Sequence, residues 1–403
     1  MKIPHDNFCV LPWTSLETSP IGSLRPCCLA EDEITDSNGN KFDLQSADLN
    51  NVLDGNYMTK LREEFLNKEK PPTCRKCWNE EASGRTSKRM HTLDRLKHVI
   101  PDTEWTNKSK GLQFLDLKLG NICNSKCRIC GSWSSSQFAA EELKFTNKAE
   151  RKGSFHHTML QKGAWPRKSQ TFWEQMDTIV DDIKYIEFTG GEPFMIQEHF
   201  DLLSSIVKKG VAKNVEIHYN TNGTQYPKQG PEIWKHFKTV EIAFSIDDLN
   251  ERFEYQRTNA VWKEVQHNIS RYVDLKTTMP NLQLQVCSTV NVFNIFYLEG
   301  LANWIDQQGF DFVYWNMMHE AYYFSISTLP EYAKKLAIDN LRSAKVSKSH
   351  RLEFDRIIDF IKGGNSLDGN VLREQVALLD NRRKQNLATH HSEFAKAIAY
   401  EGS

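Results

Sequence analysis

Cysteine placement is the feature of this 403-residue chain that most limits what it can be. Eight of the nine cysteines precede residue 131, all in or beside short-spaced groups. Residues 1–13 lack the basic head and apolar run of a secretory leader, so we expect a cytoplasmic protein. In a reducing compartment, closely spaced cysteines are more often metal ligands or free thiols than disulfides. The pattern therefore predicts one or more metal centres.

Composition narrows the class of partner. The chain carries 51 basic and 52 acidic side chains, so its net charge does not indicate a nucleic-acid or membrane surface. It has no apolar run long enough to cross a bilayer, and we expect no membrane partner. A hydrophobic content of 39% with 22 Phe fits a folded globular protein.

Strand-like and helix-like segments alternate from Gly111 onward. The predicted strands are 112–119, 184–189, 215–219, 240–246, 282–290 and 312–316. Repeated strand–helix units predict an α/β fold with a parallel sheet and right-handed crossovers. About six units fall short of a full eight-stranded TIM barrel, so we expect a partial (β/α)6 barrel. The region before it is turn-rich and Cys-rich, and the tail after Leu329 is predicted to be helical.

The first cysteine group is Cys123, Cys127 and Cys130, spaced C-x3-C-x2-C directly after the first predicted barrel strand. Three thiolates on a tight loop can bind three irons of a [4Fe–4S] cube. The fourth iron then has no protein ligand, which leaves an open position for catalysis. A structural zinc site is the alternative, but it would need a distant fourth ligand.

This group resembles the signature of the radical S-adenosylmethionine (SAM) superfamily. It reads Cys-Asn-Ser-Lys-Cys-Arg-Ile-Cys and follows a strand that reads Leu-Asp-Leu-Lys-Leu. The resemblance implies an enzyme, of oxidoreductase or transferase type, in which SAM chelates the open iron. It implies reductive cleavage of SAM to a 5′-deoxyadenosyl radical, which removes a hydrogen atom from a substrate. It also implies a reductant such as flavodoxin or ferredoxin.

Residues at the ends of later strands extend the resemblance. Gly190, Gly191 and Glu192 resemble the family element that binds the SAM amino group. Glycines allow close backbone approach and a carboxylate suits an ammonium group, although the segment also reads as an ordinary strand-ending turn. Four more SAM-pocket candidates follow from the resemblance, with an arginine pairing with the SAM carboxylate: Asn222, Ser245, Arg257 and Asn291.

The second cysteine group precedes the barrel. Phe8-Cys9-x2-Pro12-Trp13 and Gly22-x4-Cys27 resemble the start of SPASM and twitch auxiliary-cluster modules. The resemblance implies that Cys9, Cys27, Cys74 and Cys77 hold a second [4Fe–4S] cluster, with Cys28 as the alternative to Cys27. A fully ligated cube cannot bind SAM, so it would serve electron transfer, substrate support or structure. A four-cysteine zinc knuckle is the alternative.

Three segments result. They are an N-terminal auxiliary-cluster module over 1–110, a radical SAM partial barrel over 111–328 and a helical C-terminal extension over 329–403. Twitch and SPASM relatives often modify ribosomally made peptides, so the resemblance favours a peptide or protein substrate. Oxidation or rearrangement of a small molecule or nucleotide is the alternative.

A rival of another class is a zinc-stabilised nucleic-acid-binding module. It would use the basic residues of 144–168, although a solvated surface explains these more simply. It does not explain the Gly-Gly-Glu segment after a C-x3-C-x2-C strand, so nucleic acid is not the favoured partner.

Overall fold

The structure is a computed structural model that describes residues 1–44, 47–82, 86–98 and 100–400. It divides into two compact units, each of which is discontinuous in sequence. The first unit consists of Met1–Cys123, Ser132–Tyr219 and Pro227–Val240, and the second of Asn124–Gly131, Asn220–Tyr226 and Glu241–Ser403. This division cuts across the three predicted segments, whose boundaries stay a prediction.

The central element is a mostly parallel eight-stranded sheet in the order β10-β9-β7-β6-β5-β3-β1-β2, and β4 pairs with β8 separately. The strands are β1 Ser15–Thr18, β2 Leu24–Arg25, β3 Phe114–Lys118, β4 Lys126–Cys127, β5 Tyr185–Thr189, β6 Glu216–Thr221, β7 Thr239–Phe244, β8 Arg257–Thr258, β9 Leu282–Val290 and β10 Phe312–Met317. All six predicted barrel strands are therefore confirmed, with ends shifted by at most two residues.

Helices follow most strands and fill the two ends of the chain. They are α1 Leu11–Thr14, α2 Leu49–Leu53, α3 Asn56–Leu66, α4 Arg75–Ala82, α5 Lys88–Leu96, α6 Ser136–Phe145, α7 Phe155–Lys162, α8 Gln170–Ile179, α9 Gln197–Lys208, α10 Gly230–Trp234, α11 Asn250–Gln256, α12 Trp262–Lys276, α13 Leu298–Ile305, α14 Glu331–Ser343, α15 Lys348–Lys362, α16 Gly369–Arg383, α17 Leu387–His390 and α18 Ser392–Ala397. The predicted helical tail is confirmed. Among the described residues, no helix is long and apolar enough to span a membrane.

The N-terminal region contributes strands that the sequence did not predict. β1 pairs in parallel with β3, with Ser15 opposite Phe114 and Thr18 opposite Leu117, and β2 extends the sheet on the other side of β1. Neither strand is among the six predicted from the sequence. β1 is only four residues long and includes one charged side chain, so it has no alternating pattern long enough to stand out.

The two faces of the sheet differ in the first unit. Phe188 of β5 and Tyr219 of β6 stack at 4.9 Å on one face, where His199 of α9 also packs. The other face carries Asp116 of β3 and Glu187 of β5, which are in register. Alternation along each strand places apolar side chains under the helices and polar ones on the opposite face.

Candidate functional site

A cavity in the first unit brings together the four predicted auxiliary ligands. Cys9, Cys27, Cys74 and Cys77 line it, and all four come from irregular segments or helix ends before β3. Its other lining residues are apolar or basic: Leu11, Leu29, Ala30, Phe65, Lys88 and Arg89. The structure thus joins cysteines that lie up to 68 positions apart in the sequence.

Burial makes the thiols of this cavity hard to ionise. It raises the pKa of Cys9 well above its usual value, and the neighbouring Cys74 and Cys27 raise it further. Burial likewise raises the pKa of Cys27 to about 11. Thiols crowded in this way gain most from a metal centre, because cationic metal compensates several thiolates at once.

The start of α5 contacts the cavity. The Arg89 backbone N–H and the Ser87 hydroxyl hydrogen-bond to the Cys77 sulfur, although burial keeps the pKa of that thiol raised. The Arg89 guanidinium donates to the carbonyls of Asp6 and Phe8 at 2.7 and 2.8 Å, just before Cys9. Helix α5 therefore fixes two of the four cysteines.

Cys28 faces a different environment. It does not line this cavity, and after burial the charges that most affect its pKa are those of Lys88 and Asp116. This placement supports Cys27 as the fourth auxiliary ligand, as the glycine spacing favours.

In the second unit, Cys127 and Cys130 lie beside a buried ion pair. Cys127 is opposite Arg257 in the β4–β8 pair, and Arg257 Nη1 lies 3.7 Å from Cys127 Sγ. Arg257 Nη2 donates to Asp247 Oδ2 at 2.5 Å. The pKa of Cys127 falls to about 7, because the hydrogen bond with Cys130 and the Arg257 charge outweigh burial. The geometry thus favours a thiolate, the form that binds iron.

Arg257 also carries a donor without an acceptor. Its Nε is buried and has no hydrogen-bond partner. An unsatisfied buried donor of a charged group is costly and fits a missing acceptor. A carboxylate such as that of SAM would supply one, in keeping with the role that the resemblance gives this residue.

In the first unit, Cys123 and the Gly-Gly-Glu segment lie against the same stretch of backbone. Glu192 N donates to Ile122 O at 2.8 Å. A Cβ at Gly191 would come within 2.1 Å of that same oxygen, so the close approach of the two segments requires glycine there. Glu192 is buried, and its Oε1 accepts from Phe194 N at 3.2 Å. The segment is therefore an ordered turn next to Cys123.

The remaining SAM-pocket candidates have different surroundings. Asn222 donates to Asn124 Oδ1 at 2.9 Å and so holds the loop between Cys123 and Cys127. Ser245 is half-buried just after β7. Asn291 is fully buried, and its side chain bonds to Thr289 O and Phe293 N in the turn after β9 and to Gln256 of α11. Contacts of these residues with SAM stay a prediction.

Sequence reasoning missed a buried ion pair that clamps the cysteine loop. Arg128, between Cys127 and Cys130, donates to Asp380 Oδ1 at 2.5 Å, and both side chains are fully buried. Arg128 also stacks on Tyr255, with its guanidinium carbon 3.6 Å from the ring centroid. A separation of 252 positions leaves no local signal that could have shown this pair.

Within 1–44, 47–82, 86–98 and 100–400, no three His, Cys, Asp or Glu side chains are grouped as a site for a single metal ion. The auxiliary cavity offers four sulfur donors, apolar walls and two cations. That donor set suits an anionic iron–sulfur cluster. Cys127, Cys130 and the unpartnered Arg257 Nε suit the cluster ligands and the carboxylate that the resemblance implies.

Comparison with known families agrees with this chemistry. A model described as the Radical SAM superfamily matches residues 117–293, and the SPASM iron–sulfur cluster-binding domain matches residues 9–78. The region 117–293 of the chain is thus similar to the radical SAM superfamily. A radical SAM domain implies a [4Fe–4S] cluster and SAM, and a SPASM domain implies auxiliary iron–sulfur clusters. The N-terminal position of the SPASM module is confirmed.

Solved structures resemble this chain distantly. One, described as "Native anSMEcpe with bound AdoMet", is 17% identical, with 66% of either chain covered and a TM-score of 0.39. The Streptococcus suis protein SuiB bound to its precursor peptide SuiA is 13% identical, with 96% of this chain and 74% of that chain covered and a TM-score of 0.33. Among curated proteins, none matches the chain.

Proposed function

We propose that this protein cleaves SAM reductively at a cluster held by Cys123, Cys127 and Cys130 and modifies a peptide or protein. When bound, the cluster and SAM supply one-electron cleavage and a 5′-deoxyadenosyl radical that removes a hydrogen atom. The observation that carries the proposal is the Cys127–Arg257–Asp247 arrangement. A lowered thiol pKa and an arginine with an unpartnered donor lie together there, within the family match.

The site residues each have a defined task in the proposal. The Asp247 carboxylate, which also accepts from Thr289 N at 2.8 Å, orients the Arg257 guanidinium. Arg257 stabilises the Cys127 thiolate and offers Nε to the SAM carboxylate. Glu192 accepts the SAM ammonium. A one-electron reductant of the flavodoxin or ferredoxin type completes the system.

The SPASM match at residues 9–78 supports a peptide or protein as the substrate class. Relatives with that module often act on ribosomally made peptides. Oxidation of a small molecule or nucleotide is the second candidate function, because other relatives with such modules oxidise small molecules.

Anaerobic reconstitution tests the proposal. Iron and sulfide are counted, and dithionite-dependent 5′-deoxyadenosine is assayed with SAM. About eight irons per chain with turnover support both clusters, and about four with turnover support only the SAM-cleaving one. If the protein holds zinc without iron and does not cleave SAM, the proposal that it is an enzyme is refuted. Persistent gel shifts of nucleic acid without iron and SAM would then favour the rival binding module.

The substrate class is tested by deuterium transfer. An extract of perdeuterated source cells is separated into a polypeptide fraction and a low-molecular-mass fraction. Each fraction is incubated with the reconstituted protein, dithionite and unlabelled SAM. Deuterium in 5′-deoxyadenosine from the polypeptide fraction supports the proposal. Deuterium only from the other fraction favours small-molecule chemistry.

A further inference from the structure

A row of titratable side chains crosses the sheet of the first unit near the middle of its strands. Glu17 of β1 is in register with Asp116 of β3. Asp116 is in register with Glu187 of β5, which in turn is opposite His218 of β6. In-register side chains on neighbouring strands point to the same face. The row therefore gathers three carboxyl groups and an imidazole in one layer.

Cations neutralise two of these three carboxyl groups directly. Glu17 is fully buried and pairs with Arg25 at 2.7 Å and with Lys118 at 3.0 Å. Glu187 pairs with Lys88 at 2.9 Å. Both of these carboxyl groups thus have cationic partners within 3.0 Å.

Asp116 differs from its neighbours. It is 2% exposed, yet its Oδ1 has no hydrogen-bond partner. Burial and the Glu187 charge raise the pKa of Asp116 to about 7, although Lys88 acts in the opposite direction. Burial would also raise the pKa of Glu187, but Lys88 and His218 reverse this and lower it to about 2. Of these two acids, Asp116 is therefore the one whose pKa is raised.

Lys88 lies between this acid row and the auxiliary cavity. It is the first residue of α5 and lines the cavity together with Cys27 and the other three cysteines. Its charge acts on the thiol of Cys27 on one side and on the carboxyls of Glu187 and Asp116 on the other. The Lys88 ammonium group therefore interacts electrostatically with both the predicted cluster ligands and Asp116.

We propose that Asp116 takes up one proton when the auxiliary cluster gains one electron, with the Lys88 ammonium as the electrostatic link. The inference rests on the auxiliary cluster of the proposed function. Added negative charge beside Lys88 offsets the cation that favours ionised Asp116, so the protonated carboxyl becomes more stable. The electron comes from the reductant and the proton from water, and the only bond formed is the carboxyl O–H.

Other charged groups near Asp116 do not supply the same link. Glu17 and Lys118 pair with each other, so their opposite charges largely cancel at Asp116. Cys28 also faces this row, and burial keeps its pKa well above the usual value, so it is an uncharged thiol. The coupling therefore runs through Lys88 and Glu187.

The test isolates the auxiliary cluster in a Cys123→Ala/Cys127→Ala/Cys130→Ala variant. After reconstitution, iron is counted and the midpoint potential is measured by dithionite titration with EPR detection between about pH 5.5 and 8.5. We expect the potential to fall as pH rises. The steepest possible dependence corresponds to one proton taken up per electron. The reduction equilibrium then changes tenfold, and the midpoint potential by about 59 mV, per pH unit.

In this background, Asp116→Asn should make the midpoint potential of the auxiliary cluster nearly independent of pH. Its potential should stay close to the low-pH value of the parent, because the amide is neutral like the protonated carboxyl. Glu216→Gln is the matched control, since Glu216 lies on β6 outside the row and pairs with Lys238. It should keep the parent slope.

Three results would overturn the inference. They are a flat parent slope, an unchanged slope in Asp116→Asn, and a slope lost equally in Glu216→Gln. A triple variant that holds no iron would instead refute the auxiliary cluster itself, so failure of the proposed function is recognisable separately.

Discussion

Asp380→Ala tests whether the C-terminal region clamps the cysteine loop. Oδ1 of Asp380 accepts from Arg128 and from the Tyr255 hydroxyl at 2.9 Å, and Oδ2 accepts from Leu387 N at 2.8 Å and from the Tyr400 hydroxyl at 3.1 Å. Alanine would leave a fully buried guanidinium without its counter-charge. Breaking a buried ion pair in this way costs about 3–5 kcal/mol. That is a large part of a typical free energy of unfolding of about 5–15 kcal/mol.

The assay is urea denaturation of the metal-free protein, followed by reconstitution and an iron count. Because Arg128 separates Cys127 from Cys130, we expect iron to be lost from that loop and retained by the auxiliary cavity. Asp359→Ala is the control, since Asp359 is 79% exposed and pairs with Lys362 on the surface. It should change stability by no more than about 0.5 kcal/mol. A change below about 1 kcal/mol in Asp380→Ala with full iron content would refute the clamp.

Three further changes test separate parts of the site. Glu192→Gln should weaken SAM binding about tenfold in equilibrium dialysis, because a charge-assisted bond to the ammonium is lost; unchanged affinity would rule out that contact. Replacing Cys74 and Cys77 together by Ala should remove about four irons per chain in a colorimetric iron assay, and an unchanged count would exclude the auxiliary cluster. Asp116→Asn should remove a pH dependence of stability in the metal-free protein. With a folded pKa near 7 and an unfolded pKa near 3.9, the folded form binds more protons, so stability should fall as pH rises from about 4 to 7. A melting temperature with the same pH dependence in variant and parent would contradict this.

Most of the fold follows from patterns within single segments. The six barrel strands are long enough, and apolar enough, to be placed within one or two residues. β1 has neither property: Ser15–Thr18 is a four-residue strand that pairs with β2 and with the distant β3. Short strands of this kind take their structure from a partner that the local sequence does not contain.

The candidate site shows the same division. Ligand chemistry follows from cysteine spacing, and the choice of Cys27 over Cys28 agrees with the cavity lining. Lys88 and the Arg128–Asp380 pair could not be predicted, because each acts through contacts between segments far apart in sequence. Asn291 was chosen for its position at a strand end, and the structure adds that its side chain hydrogen-bonds within a buried turn; its contact with SAM stays a prediction.

The pairing of β1 with β3 has a consequence for synthesis. During translation, Cys9 and Ser15 leave the ribosome about a hundred residues before Phe114, the first residue of the strand that must cover β1. Long-range parallel pairing of this kind is slow, since the intervening chain must close before contacts form. A nascent chain that stalls before β3 would hold the auxiliary cysteines without the strand beside them. We therefore expect a fragment of residues 1–110 to aggregate or to lose iron when it is expressed without the rest of the sheet.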